Sequence, residues 1–181
     1  STFTSIAEEI AGNSTNPLEI ARRIASWVAS HLSYEVNPPG PRGAGRALRG
    51  GILGYVIRGD CTEACDVFIT LARSLGIPSR AAFGMLLGSE EEYYWLNESS
   101  RGGPSLLEHW GGHMWPQIYV EPWGWLDVEM LEAGGVKVGD YSWKHILYGV
   151  EEKNFAASES AYFCVSMYLR VEHMEFRFSP G

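Results

Sequence analysis

Gly59-Asp60-Cys61-Thr62-Glu63-Ala64-Cys65-Asp66-Val67-Phe68-Ile69-Thr70-Leu71-Ala72-Arg73-Ser74-Leu75-Gly76-Ile77-Pro78-Ser79-Arg80 is the stretch on which the fold turns. Ala64, Phe68, Leu71, Ala72 and Leu75 form one apolar stripe at helical spacing, joined by Cys65. Gly76 supplies a helix stop and Pro78 prevents continuation, so the pattern predicts a helix over 61–75 and then a strand from Ser79 to Leu87. Cys61 stands where a loop enters that helix. Unpaired N–H groups and the positive end of the helix dipole favour a thiolate there, and thiolate is the nucleophilic form. Asp60 next door opposes such a charge, so position alone leaves Cys61 balanced between a nucleophile and a small buried residue. Cys65, one turn further and on the stripe, reads as core, as does Cys164 in a late apolar segment.

Upstream, residues 5–11 predict a short helix. Asn16-Pro17 then provides an N-cap and a first-turn proline. Leu18, Ala21, Ile24, Ala25, Val28 and Leu32 give the following helix one buried face, ending near 31–34. Residues 37–51 are rich in Pro and Gly and predict a loop. It carries Arg42, Arg46 and Arg49, either as a solvated loop or as one that touches substrate.

Downstream, residues 88–112 make a long connection containing Tyr93-Tyr94-Trp95, of a length that is usually functional or mobile. Strands follow at 114–120 and 124–128, joined by the turn Glu121-Pro122-Trp123. A short helix is expected at 141–149 and one or two strands within 161–178. Helices first and an antiparallel run of strands afterwards is an α+β layout.

His113 opens the first strand of that pair, and Asp127 ends the second, fourteen residues later. Antiparallel neighbours bring such positions side by side. A carboxylate there accepts the second imidazole N–H, fixes the tautomer and stabilises imidazolium. Cys61, His113 and Asp127 together make a nucleophile, a base and an orienter. A competing arrangement is a zinc site from Cys61, Cys65, His109 and His113. Against it, Cys65 lies on the core stripe, and Gly111-Gly112 interrupts any helix carrying the two histidines.

The whole chain sets the outer bounds. Its 181 residues fit a single domain, 1–181, or a domain cut from a longer chain. A net charge of −8 argues against a nucleic-acid partner, and no apolar run is long enough to span a bilayer. Three cysteines make a poor disulfide framework and leave the compartment undefined. No Asp-x-Asp-x-Asp-Gly loop occurs, so calcium dependence is not implied, and no cofactor is expected.

Gly59-x-Cys61-x-Glu63-Ala64, with Phe68, Leu71, Arg73 and Gly76-Ile77-Pro78-Ser79-Arg80, resembles the nucleophile helix of the transglutaminase-like superfamily. His113-x-Trp115 with Gly124-Trp125-Leu126-Asp127 resembles that family's histidine and aspartate segment, and the helix from Asn16-Pro17 its leading helix. The likeness spans roughly residues 5–130. It implies a papain-like α+β core, with the nucleophile helix packed on an antiparallel sheet. Cys61 is then the nucleophile, His113 the base and later the acid, and Asp127 the orienter. It also implies an acyl-enzyme formed from a peptide or glutamine amide and resolved by water or an amine. The Cys61 backbone N–H would serve the oxyanion, with Tyr55 one candidate for a second donor. Trp115, Tyr55 and Trp95 are the expected substrate-binding residues, although each Trp also suits a core. Gln117 and Val128 depart from the family's common Glu and Pro. The alternative function is a binding or scaffolding domain of the same fold that does not turn over.

Overall fold

A computed structural model of the chain describes residues 2–35, 38, 42–51, 54–87, 110–131, 135–140 and 145–151. Tyr93, Tyr94, Trp95, His109, Cys164 and the strands expected within 161–178 lie outside the described residues.

Among the described residues four helices come early: α1 (Thr2–Ala11), α2 (Pro17–His31), α3 (Ala44–Ala47) and α4 (Cys61–Ser74). Asn16 caps α2 by accepting from Leu18 and Glu19 N–H at 2.9 and 3.3 Å, as the Asn-Pro pair predicts. Ile20, Ala21, Ile24, Ala25 and Val28 are its buried face. The expected loop at 37–51 is corrected at its end. There the chain forms α3 and then β2 (Leu48–Gly51), which pairs with β3 (Gly54–Gly59). The glycines suppress any local strand signal, and the pairing comes from the partner strand. β1 (Leu32–Tyr34) runs parallel to β3, which gives a three-stranded sheet of order β1-β3-β2.

A second, five-stranded sheet is antiparallel throughout. It contains β4 (Ser79–Leu87), β5 (Trp110–Val120), β6 (Gly124–Glu129), β7 (Lys137–Val138) and β8 (His145–Val150), in the order β7-β6-β5-β4-β8. Residues 145–149 of the short helix expected at 141–149 lie instead in β8, and 141–144 lie outside the described residues. His113 lies inside β5 rather than at its start. Along β5 the side chains alternate. Met114, Ile118 and Val120 join the core with Phe68 and Leu71 of α4 and Ile24 of α2. His113, Trp115 and Gln117 take the opposite parity.

The start of α4 is tightly specified. Asp60 is the N-cap and accepts from Thr62 N–H at 2.9 Å, while the Glu63 carboxylate reaches back to Asp60 N–H at 3.0 Å. This capping box satisfies donors that a helix start otherwise leaves open. The fold of Glu63 back over Gly59 leaves no room for a side chain: a Cβ at Gly59, whose φ is +150°, would stand 2.4 Å from the Glu63 Cγ. Gly59 and Glu63 are therefore one structural unit flanking the cysteine. Gly59→Ala is expected to cost about 2 kcal/mol or more, from strain and overpacking together, read as a lower urea midpoint.

Candidate active site

Cys61 is the first residue of α4 and is 6% exposed. Asp60 beside it does not stand as a bare charge. Arg42, from the proline- and glycine-rich stretch, pairs with Asp60 and forks onto Glu63 through Nε at 2.7 Å and Nη2 at 2.6 Å. Its side chain is 13% exposed, and those of Asp60 and Glu63 are 4% and 3% exposed. Arg42 is thus no freely solvated arginine; it clamps the two acids that shape the helix start. Removing one member of a buried ion cluster strands the others. Arg42→Ala is expected to destabilise the fold by about 3–5 kcal/mol, measured by urea unfolding.

Across from Cys61 stands His113 of β5, 6% exposed and within side-chain hydrogen-bonding reach of the cysteine. Its Nε2 lies 2.9 Å from Glu129 Oε2, which leaves Nδ1 for Cys61. Burial works against an imidazolium here. The adjacent Glu129 carboxylate and the hydrogen bonds with Cys61 and Glu129 outweigh it and push the His113 pKa up to about 10. For Glu129, burial likewise opposes ionisation, but His113, a hydrogen bond from His145 and the Leu131 N–H hold it well below the usual carboxylate range. An ionised carboxylate only accepts, so both imidazoles present their Nε2–H to it.

The expected pairing of His113 with Asp127 is not the one observed. His113 is paired with Glu129, not with Asp127. The hairpin register explains why. Gln117 lies opposite Asp127, and two residues on, Trp115 lies level with Glu129. Asp127 and Glu129 face the same side of β6, and the Glu129 side chain extends diagonally to His113. Asp127 is committed elsewhere: its Oδ1 accepts from Trp115 Nε1 at 2.9 Å and Gln117 Nε2 at 2.8 Å. Gln117 Oε1 in turn accepts from Arg80 Nε at 2.8 Å. This accounts for the amide at position 117, since a carboxylate there would face the carboxylate of Asp127.

A second histidine went unnoticed in the sequence. His145 of β8 donates through Nε2 to the same Glu129 oxygen at 2.8 Å, with 5% of its side chain exposed. No local motif marks it; the strand pairing of β8 with β4 brings it in. Ligand atoms of His113, Glu129 and His145 lie within 4.8 Å of one another, a grouping that a divalent transition-metal ion could use. In this arrangement the two imidazole N–H groups occupy that space. Of the zinc set weighed from the sequence, His109 lies outside the described residues, and Cys65 is wholly buried on the core side, where burial raises its thiol pKa.

The expected substrate residues are distributed differently. Trp115 is 2% exposed, with ring centroids 5.8 Å from His113 and 4.8 Å from His145. It is a packed wall behind the histidines. Tyr55 lies on β3 against Trp27, four residues before Gly59 and so about 13 Å along the strand. Trp95 lies outside the described residues. Further along the sheet face, Trp125 packs edge-on to Tyr119 and is capped by Arg80, 4.0 Å above its ring.

A buried thiol at a helix start, an imidazole on a neighbouring strand and a carboxylate behind it thus lie together in one place. The profile described as the transglutaminase-like superfamily matches residues 4–130, and the chain belongs to that superfamily. An uncharacterised protein of Haemophilus influenzae is 28% identical over 139 residues, covering 74% of this chain and 37% of that protein. The chain therefore spans little more than a third of the length of that relative. Among solved structures, a protein of Cytophaga hutchinsonii described as a proposed cysteine protease aligns with TM-score 0.48 and 15% identity, over 86% of this chain and 53% of that one. Red sea bream transglutaminase aligns with TM-score 0.46 and 18% identity, over 75% of this chain and 28% of that one. Among the described residues, no helix is long and apolar enough to cross a membrane.

Proposed function

We propose that the chain is a thiol-dependent amide hydrolase or acyltransferase that works through an acyl-enzyme on Cys61. The observation that carries this reading is the buried relay from Cys61 to His113 to Glu129. Cys61 sulfur attacks the carbonyl carbon of a peptide or glutamine amide, and the carbonyl oxygen takes up the negative charge. The start of α4 offers the Cys61 backbone N–H to that oxygen. As the C–N bond breaks, His113 gives its proton to the departing amine, leaving a thioester on Cys61. His113 then takes a proton from the incoming water or amine, which attacks the thioester and restores the thiolate–imidazolium pair. Water yields hydrolysis and an amine yields transamidation. Glu129 holds the ring and balances its charge throughout. Asp127 acts one step away, through Trp115 and Gln117.

The test is mass spectrometry of protein incubated with N-protected glutaminyl-glycine, with and without methylamine. A covalent acyl adduct on Cys61 that is absent in Cys61→Ala is expected, with ammonia released. An adduct in neither protein, or equally in both, overturns the reading in favour of a domain that binds without turnover.

A further inference from the structure

Glu129 accepts at least four hydrogen bonds, as many as a carboxylate has lone-pair sites. Oε1 takes Met130 N–H at 2.7 Å and Leu131 N–H at 2.5 Å. Oε2 takes Nε2 of His113 at 2.9 Å and Nε2 of His145 at 2.8 Å. The carboxylate is thus pinned by two strands, β5 and β8, besides its own backbone. β8 lies beyond the residues that match the superfamily, which end at 130. Its approach depends on Gly84, the register partner of His113 on β4. A Cβ at Gly84 would stand 1.9 Å from the Ile146 carbonyl oxygen, at the point where the β4–β8 register shifts.

We infer that His145 is a positioning residue: by donating to the Glu129 oxygen that also receives His113, it fixes the carboxylate and so the aim of His113 at Cys61. The inference rests on the thiol-enzyme reading above. With Oε1 tied to the backbone, the carboxylate can still pivot unless Oε2 is held on the side away from His113. His145 supplies that hold from β8, and Trp115 keeps both rings in place, 5.8 Å and 4.8 Å from its own. Among the described residues, the other charged or titratable groups near Glu129 include Cys61 and Cys65 of α4, Lys137 opposite it on β7, and Asp127 on its own strand, held by Trp115 and Gln117. The bond from His145 helps keep Glu129 ionised. Its loss therefore raises the pH at which Glu129 takes a proton and the pair with His113 fails.

The experiment compares wild type, His145→Gln and His145→Phe. It measures iodoacetamide alkylation of Cys61 from pH 4 to pH 9, alongside imidazole 15N spectra. Glutamine returns an N–H near the position of Nε2, and phenylalanine keeps the volume without it. In His145→Phe, alkylation at pH 6 is expected to fall about tenfold or more, the worth of one hydrogen bond to a charged group. Its acid limb moves to higher pH and the His113 Nε2–H resonance shifts. In His145→Gln all three readouts return towards wild type. Equal behaviour of wild type and His145→Phe overturns the inference, and so does a folded His145→Gln as impaired as His145→Phe. If neither variant folds, the wild-type spectrum decides alone: an Nε2–H tautomer at His145 supports the inference, and an Nδ1–H tautomer overturns it. If wild-type Cys61 reacts as an ordinary thiol, the thiol-enzyme reading falls, a result distinct from any failure at His145.

Discussion

Glu129→Gln is expected to slow acylation of Cys61 by p-nitrophenyl acetate about 10³–10⁴-fold, the effect of losing the carboxylate behind a catalytic histidine. Asp127→Asn is expected to slow it by less than about tenfold, since Asp127 reaches the site only through Trp115 and Gln117. An amide at position 129 sets an NH₂ or a neutral carbonyl against His113 Nε2 and removes the charge that stabilises the imidazolium. It also loses part of the acceptor capacity that now holds Met130 and Leu131 N–H. The nitrophenolate burst in stopped flow separates acylation from later steps. If Asp127→Asn proved the more damaging of the two, the assignment of Glu129 as orienter would be wrong.

His113→Ala is expected to slow alkylation of Cys61 at pH 6 by about 10²-fold or more, because the imidazolium that steadies a thiolate is gone. The same histidine sets a pH window. Its folded pKa of about 10 exceeds the ordinary value near 6.5. The raised value means that the charged ring stabilises the fold. That contribution is complete below about pH 6.5, declines as pH rises, and is gone above about 10. Turnover needs the same proton for the leaving amine, so it is expected to fall as pH rises through about 10. Glu129 acts in the opposite direction: its depressed pKa stabilises the fold above the ordinary carboxylate value, and this is lost as pH falls through the lowered one. Melting temperatures of wild type and His113→Ala between pH 6 and 10 check the first statement. Parallel curves would contradict it.

Much of the molecule is written locally. Asn16-Pro17 starts α2, and Gly76 with φ of +78° ends α4. The stripe residues Ala64, Cys65, Phe68, Leu71 and Ala72 of α4 are buried as their spacing predicts, with Leu75 partly buried, and β4 runs over the residues that the pattern marks. The resemblance also names Cys61 and His113, which lie within side-chain hydrogen-bonding reach of each other, and each sits in a motif with a local physical cause. Gly59 and Glu63 of the first motif make a capping box that a short window already contains.

The acid behind the histidine was not legible in that way. Residues 127 and 129 project to the same side of a strand, so alternation alone cannot choose between them. The choice follows from the β5–β6 register, from the reach of one extra methylene, and from the capture of Asp127 by Trp115 and Gln117. Arg42 and His145 were hidden for a related reason. One lies in a stretch without periodicity and the other on a strand with no motif, and each acquires its role from a partner 18 or 16 residues away. Helices, caps and turns depend on neighbours within a few residues, and the sequence states them directly. Which carboxylate serves the histidine, and which side chains brace it, depends on strand pairing between distant segments, and that is settled only when the chain has folded.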